Sequence, residues 1–201
     1  MRAQKTPAFR RKAQEFADEL SRTLTTTISP VPLHCRFVRG KNEASLTFVP
    51  PPEFPDRRYV ELENACWVNV HQRLVPNTKN PKIVSTARHS YSYSLSSDFD
   101  HDWLVRYDYE PEEECNPDYP YPISHVHVNG VNESYTAFMA TQGEKKVLSD
   151  VHLPTKRISL EEFVRHLIVE FKVPLLGGRT EKEVQETLTM GLGRIKEKRT
   201  K

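Results

Sequence analysis

The clearest hydrophobic pattern lies in the last third of the chain, where apolar residues recur at helical spacing. That stripe consists of Leu160, Phe163, Val164, Leu167, Ile168 and Phe171. Ser159 and Glu162 form a capping box at its start. After Gly177 and Gly178, Thr180 begins a second helix. Its narrower stripe consists of Val184, Leu188, Leu192 and Ile195, interrupted by Gly191 and Gly193 and followed by a basic tail. We predict two C-terminal helices.

The N-terminal part of the chain predicts a helix followed by a hairpin. The helix begins with Thr6 as its cap and Pro7 at its first position. Its apolar stripe consists of Phe9, Ala13, Phe16, Leu20 and Leu24. Residues 33–38 and 44–49 are strand-like and are joined through Gly40, a turn former. The prolines at positions 50, 51, 52 and 55 mark a boundary after the hairpin.

The middle of the chain changes from an ambiguous segment to strand-like alternation. Residues 59–75 place Leu62, Cys66, Val70 and Leu74 at helical spacing, and we predict a helix there, although the valines and Trp67 would suit a strand. Residues 83–95 alternate tyrosine and leucine with serine, which predicts a strand. Residues 103–109 and 123–128 predict two more strands, and residues 135–140 and 146–153 could add others.

These elements predict an α+β fold. We expect an antiparallel β-meander sheet with one face covered by the C-terminal helix over residues 159–171, plus an N-terminal helix. Residues 1–172 would form a single domain, with a core at 82–172 and the N-terminal helix and hairpin at 6–49. Residues 179–201 would form a C-terminal helix with a basic tail.

Composition narrows the protein class without naming a function. The chain has 201 residues and a formal net charge of +2, so no global field draws it to nucleic acid or to an anionic membrane. Its three cysteines, Cys35, Cys66 and Cys115, show no CxxC spacing, which disfavours a zinc ribbon or a disulfide framework. The N-terminus lacks the apolar segment of a signal peptide. We expect a cytoplasmic protein that is not inserted in a membrane.

The candidate chemistry lies in the two strands at 103–109 and 123–128. Alternation places Trp103 with Val105 on one face, and on the other face the polar residues Arg106, Asp108, His125, His127 and Asn129. We predict His125 and His127 as acid and base, Arg106 as a phosphate holder and Asp108 as the group that orients a histidine. Candidate substrate-binding residues are Arg88, Tyr91 and Asn129.

Two other interpretations of the same residues stay open. His125 and His127 could hold a divalent metal ion together with Asp108 or the acidic residues 112–114, although HxH alone fixes no third ligand. Alternatively, the polar residues form the ordinary wet face of an antiparallel sheet, with Arg106 and Asp108 as a surface ion pair. His152 could join the site, but a lone histidine is more often structural.

Short motifs in the region 82–171 resemble the TumE-type family of bacterial toxin–antitoxin systems. The similar segments are residues 88–93, with Tyr91-Ser92-Tyr93; residues 105–108, with Arg106-Tyr107-Asp108; and His125-Val126-His127. Tyr109 stands where that family usually has Asn, and residues 120–124 replace a histidine-rich lead-in. The resemblance implies a toxin-like protein that acts inside a bacterial cell with a neutralising partner such as an antitoxin.

Two functional hypotheses follow. The first is a ribonuclease-like enzyme that cleaves RNA or another phosphodiester by histidine acid–base chemistry, without a required cofactor. The second is a non-enzymatic interaction subunit of a defence or regulatory complex, in which the terminal helices dock to a partner. Removal of activity by substitutions at His127 or Arg106, with little change in melting temperature, would favour the enzyme.

Overall fold

A computed structural model describes residues 7–49, 59–63, 66–76, 91–97, 103–110, 123–130 and 132–199, with side chains as far as residue 192. The first element is helix α1, Pro7–Thr25, as predicted. Its buried positions include Phe9, Ala13, Leu20 and Leu24, so the predicted apolar stripe does face the core. The predicted cap, Thr6, lies outside the described residues.

The described strands form one antiparallel sheet. In chain order they are β1 His34–Phe37, β2 Ala44–Thr47, β3 Tyr59–Glu61, β4 Trp67–Leu74, β5 Tyr91–Ser96, β6 Trp103–Tyr109, β7 Ser124–Val128 and β8 Leu153–Pro154. Their order across the sheet is β1-β2-β4-β5-β6-β7-β8, and β3 pairs with β4 off this path. The predicted α+β class and antiparallel meander are therefore confirmed.

The remaining helices follow β7. They are α2 Glu133–Thr141, α3 Leu160–Val169 and α4 Glu181–Arg199, with short 3-10 helices at Leu148–Asp150 and Leu176–Gly178. The predicted capping box begins α3: the Glu162 N–H donates to Ser159 Oγ at 3.1 Å, and the Ser159 N–H donates to Glu162 Oε2 at 2.8 Å. Thr180 and Glu183 make the same reciprocal pair before α4. None of the described helices is long and apolar enough to cross a membrane.

One face of the sheet carries the hydrophobic core. The Phe163 ring of α3 contacts the Tyr93 ring of β5 and the Tyr107 ring of β6, with centroid separations of 5.5 and 6.0 Å. This confirms that the predicted helix covers the apolar face. Val184 and Leu188 of α4 are buried in the same core. Gly191 explains one interruption in that helix's stripe, because a Cβ there would lie 2.7 Å from Glu161 Cγ of α3.

Three predicted elements are wrong in type. In the segment predicted as a helix, residues 59–61 and 67–74 form strands β3 and β4, and burial alternates along every residue of β4. The spacing of four that suggested a helix is also a multiple of two, so it fits one face of a strand equally well. Residues 135–140 lie in α2, which Asn132 caps by accepting from the Tyr135 N–H. Residues 146–153 supply a 3-10 helix and only the first residue of β8. Of the predicted strand at 83–95, residues 83–90 lie outside the described part.

Candidate functional site

Strands β6 and β7 bring the predicted catalytic residues together on the face opposite helix α3. Arg106 pairs with His127, and Asp108 pairs with His125. Directly paired residues in antiparallel strands project to the same side, so all four side chains share one face. The pairing of the two strands that would bring these residues together is therefore present. These four residues and His152 form what we call the histidine cluster.

Asp108 lies at the centre of the histidine cluster. Its Oδ2 atom accepts a hydrogen bond from Arg106 Nε at 2.7 Å. The same oxygen lies 3.7 Å from His125 Nε2 and 3.6 Å from His127 Nε2. One carboxylate oxygen therefore faces a guanidinium and two imidazoles, which fits the predicted role of Asp108 as an orienting group.

Three members of the histidine cluster are buried, which distinguishes the cluster from an ordinary wet sheet face. His125, His127 and Asp108 are 2%, 4% and 8% exposed. An antiparallel sheet commonly leaves its second face in solvent, where charged side chains keep their hydration. Here several ionisable side chains are buried together, and they need hydrogen-bond or charge partners to offset the loss of hydration. The interpretation as an exposed surface ion pair does not describe Asp108.

The tautomer of His127 follows from its hydrogen bond. His127 Nδ1 lies 3.1 Å from the Ser149 carbonyl oxygen, which can only accept, so Nδ1 carries the proton. In the neutral ring, Nε2 therefore holds the lone pair. This Nε2 atom is buried without a hydrogen-bond partner and lies 3.6 Å from Asp108 Oδ2. A buried acceptor without a donor requires an explanation, because such atoms are rare in folded proteins.

His152 joins the cluster through a strand pairing that the sequence did not predict. Strand β8 pairs with β7, so that Pro154 lies opposite His125 and Leu153 lies opposite Val126. His152 immediately precedes this strand. Its ring centroid lies 4.8 Å from that of His125 and 4.5 Å from that of His127. The histidine that sequence reasoning treated as isolated is therefore part of the site.

Trp103 also lies beside the cluster, where alternation placed it on the apolar face. The pairing of β5 with β6 shifts between Leu95 and Ser96, so Ser96 pairs with Trp103 but Leu95 pairs with Val105. The extra residue in β6, Leu104, turns Trp103 to the polar side. The Arg106 guanidinium lies 4.9 Å from the Trp103 ring, and the His127 ring lies 5.6 Å from it. The predicted orientation of Trp103 is wrong because of this bulge.

The surroundings of His127 and His152 favour their neutral forms, because each pKa is lowered. Burial lowers the pKa of His127, the Arg106 charge lowers it further, and the Ser149 hydrogen bond and the Asp108 charge oppose that change. Burial likewise lowers the pKa of His152, with His125 and Arg106 adding to the effect. A backbone hydrogen bond with Asp150 opposes this shift in His152. Neutral imidazoles can accept a proton or bind a metal ion.

The three candidate substrate-binding residues have different positions. Tyr91 lies on the helix-covered face, stacked on Tyr93 at 4.4 Å, and its hydroxyl oxygen accepts from the Ile158 N–H. It therefore lies on the side away from the cluster. Asn129 follows β7, and its backbone N–H donates to the Leu104 carbonyl. Arg88 and the acidic residues 112–114 lie outside the described residues.

The fold and site together define an α+β protein in which an arginine lies beside a buried aspartate and two buried histidines on one face of an antiparallel sheet. No protein-family model, curated protein or solved structure matches this chain.

Proposed function

We propose that this chain is an enzyme that cleaves a phosphodiester, with RNA as its substrate class. The observation that carries the proposal is the position of Asp108 Oδ2 between Arg106 and the Nε2 atoms of His125 and His127. An arginine beside two imidazoles supplies both an anion holder and proton-transfer groups. The resemblance to TumE-type toxins supports a toxin-like role in a bacterial cytoplasm, with a neutralising antitoxin as partner.

The proposed chemistry assigns one role to each side chain. His127 Nε2, which holds the lone pair, takes the proton from a ribose 2′-hydroxyl, and the resulting oxygen attacks phosphorus. The bond from phosphorus to the 5′-oxygen breaks, and protonated His125 gives that leaving oxygen a proton. The products are a 2′,3′-cyclic phosphate and a 5′-hydroxyl, so atoms and protons balance. Arg106 contacts the phosphate through its terminal nitrogens while Nε stays on Asp108.

The test is cleavage of a labelled RNA oligonucleotide by the purified chain. We expect His127→Ala to lower the rate by about 10²–10⁴-fold, the range for loss of a general acid or base. Arg106→Lys keeps the positive charge that Asp108 needs but loses the planar guanidinium, so it should also lose rate while folding normally. Arg73→Ala is the matched control. Arg73 lies on β4, away from β6 and β7, and forms an ion pair with Glu43 at 2.9 Å. Equal rates in all three variants would refute the proposal.

A non-enzymatic interaction subunit is the second candidate, and α2 is the observation that favours it. This helix has no buried residue, and Phe138 is 61% exposed. The terminal helix α4 is less suitable as a docking surface, because Val184 and Leu188 of its apolar stripe are buried within the protein. RNA cleavage that depends on His127 separates the two candidates, since an interaction subunit would show none.

A further inference from the structure

We propose that His125, His127 and His152 bind one divalent transition-metal ion of the Zn²⁺ type, with Asp108 beside its fourth position. One ligand nitrogen from each histidine lies within 4.8 Å of the others. A tetrahedral ion with Zn–N bonds of about 2.0–2.1 Å separates its ligand nitrogens by roughly 3.3 Å. Small rotations of three side chains that are already in contact would close this difference.

The contacts around His127 and His152 are those that metal ligands use. A metal-binding histidine usually donates its second ring N–H to a carbonyl or carboxylate, which fixes the tautomer and the ring. His127 donates from Nδ1 to Ser149 O, and His152 has a backbone hydrogen bond with Asp150. Both carbonyls belong to the 3-10 helix Leu148–Asp150. Two of the three proposed ligands are therefore hydrogen-bonded to the backbone of this short helix.

The buried Nε2 atom of His127 is an independent second observation. This atom has no hydrogen-bond partner although its residue is only 4% exposed. Leaving such an acceptor buried and unsatisfied costs free energy, and a bound cation removes that cost. Nε2 lies 3.6 Å from Asp108 Oδ2. The atom that lacks a partner is thus the atom that the proposed ion would use.

Asp108 supplies the negative charge that a divalent ion needs in a buried site. Its Oδ2 atom lies 3.6–3.7 Å from two of the proposed ligand nitrogens, close to the edge of a metal tetrahedron. The Arg106 hydrogen bond holds this carboxylate in position. Three histidines select Zn²⁺, Co²⁺ or Ni²⁺ over Mg²⁺ or Ca²⁺, which prefer oxygen ligands. We therefore expect Zn²⁺ to bind and Mg²⁺ not to compete.

What the ion would do rests on the proposed function, whereas its binding does not. A metal-bound water has a pKa far below that of bulk water and provides a base at neutral pH. A bound ion would lower the pKa of a water beside Asp108, and that water would supply the base proposed for His127. The proton for the leaving 5′-oxygen, proposed for His125, would then come from solvent water. Phosphodiester cleavage then requires the ion.

The binding experiment uses the full chain, purified without a polyhistidine tag and treated with chelator. Isothermal titration with ZnCl₂ should give one ion per chain, and a large excess of MgCl₂ should leave the titration unchanged. His152→Ala is the main variant because His152 is only partly buried, so the variant should fold, which circular dichroism checks. We expect its Kd for Zn²⁺ to rise at least about 100-fold, above the cost of losing an outer-shell contact.

The controls make each result decisive. His34→Ala removes an exposed histidine of β1 and should bind Zn²⁺ like the wild type. His127→Gln replaces a buried ligand with a side chain that still fills the space, and it should also weaken Zn²⁺ binding. Zn²⁺ binding of equal affinity in the wild type and His152→Ala, or none in the wild type, would overturn the inference.

The RNA assay distinguishes failure of this inference from failure of the proposed function. One Zn²⁺ per chain without RNA cleavage leaves the metal site in place and refutes the phosphodiesterase. Cleavage that continues unchanged after chelation and in His152→Ala supports the enzyme and refutes the metal site. Cleavage lost on chelation and restored by Zn²⁺ supports both.

Discussion

The two faces of strands β5, β6 and β7 are both buried, but for different physical reasons. On one face, Tyr93 and Tyr107 pack against Phe163, and removal of apolar surface from water is favourable at about 25 cal/mol per Å². On the other face, burial removes hydration from Asp108, His125 and His127, which costs free energy unless partners replace the water. The first face explains why the chain folds. The second needs a functional explanation, because stability alone would favour apolar residues there.

The largest expected effect is a loss of stability when the packing on the helix-covered face is disrupted. Phe163→Ala should lower the free energy of unfolding by about 3–5 kcal/mol, because Phe163 is fully buried and its removal leaves a cavity. Chemical denaturation monitored by circular dichroism measures this loss. His152→Ala is the comparison on the polar face and should cost about 1 kcal/mol or less, since its ring is partly exposed. A greater loss in His152→Ala than in Phe163→Ala would mean that the polar cluster supports the fold.

A smaller effect should appear at alkaline pH and should come from the same apolar face. Burial raises the pKa of Tyr91 to about 12 and raises that of Tyr93 well above its usual value. In the unfolded chain tyrosine titrates near pH 10, so between about pH 10 and pH 12 the folded state holds more protons. Stability is therefore full below pH 10 and is lost as pH rises toward 12. For Tyr91 this loss is about 2–3 kcal/mol.

Urea unfolding at pH 9 and pH 11.5 measures the alkaline loss. Tyr91→Phe should be less stable at pH 9, because the Ile158 N–H loses its acceptor, yet it should lose less further stability by pH 11.5. Comparison of the variant with the wild type cancels the titration of lysines and other common groups. The same alkaline loss in both proteins would contradict a raised pKa at Tyr91.

The apolar face was largely predictable from sequence, because a helical stripe and a strand alternation each record burial at a fixed period. The stripe of α3 and its capping box at Ser159 needed no tertiary information. The error at residues 59–75 shows the limit of this signal. Leu62, Cys66, Val70 and Leu74 are spaced by four, which suits both a helix and one side of a strand. Only pairing with β2 and β5 separates the two structures.

The polar face was predictable only within one pair of neighbouring strands. Alternation along β6 and β7 was enough to group Arg106, Asp108, His125 and His127. His152 was only a possible member, because its position depends on β8 returning to β7 after helix α2. Trp103 was assigned to the wrong face because a bulge leaves no mark in the periodicity of a seven-residue strand. Long-range pairing and irregular register are the information that the local pattern lacks.

The smallest expected effect tests the position of Trp103 between the two faces. Trp103→Leu should lower the free energy of unfolding by about 0.5–1 kcal/mol, the value of a partly exposed cation–π contact with Arg106. Trp103→Phe keeps an aromatic face for the guanidinium and should lose less. Both variants should lower the rate of RNA cleavage by more than the small increase in unfolded protein explains, because Arg106 loses the ring that supports it. Denaturant unfolding and the RNA assay measure the two quantities on the same samples.

The outcome distinguishes the bulged strand from a regular one. If Trp103 lay on the apolar face beside Val105, its replacement by leucine would act as a core substitution, with a cost well above 1 kcal/mol. Arg106 would then be unaffected and RNA cleavage would follow stability alone. Trp67→Leu is the control. Trp67 also begins a strand, and it pairs with the same Ser96 as Trp103 does, but from β4 on the opposite edge of β5. Loss of cleavage in Trp103→Leu but not in Trp67→Leu would place the tryptophan ring of β6 at the histidine cluster.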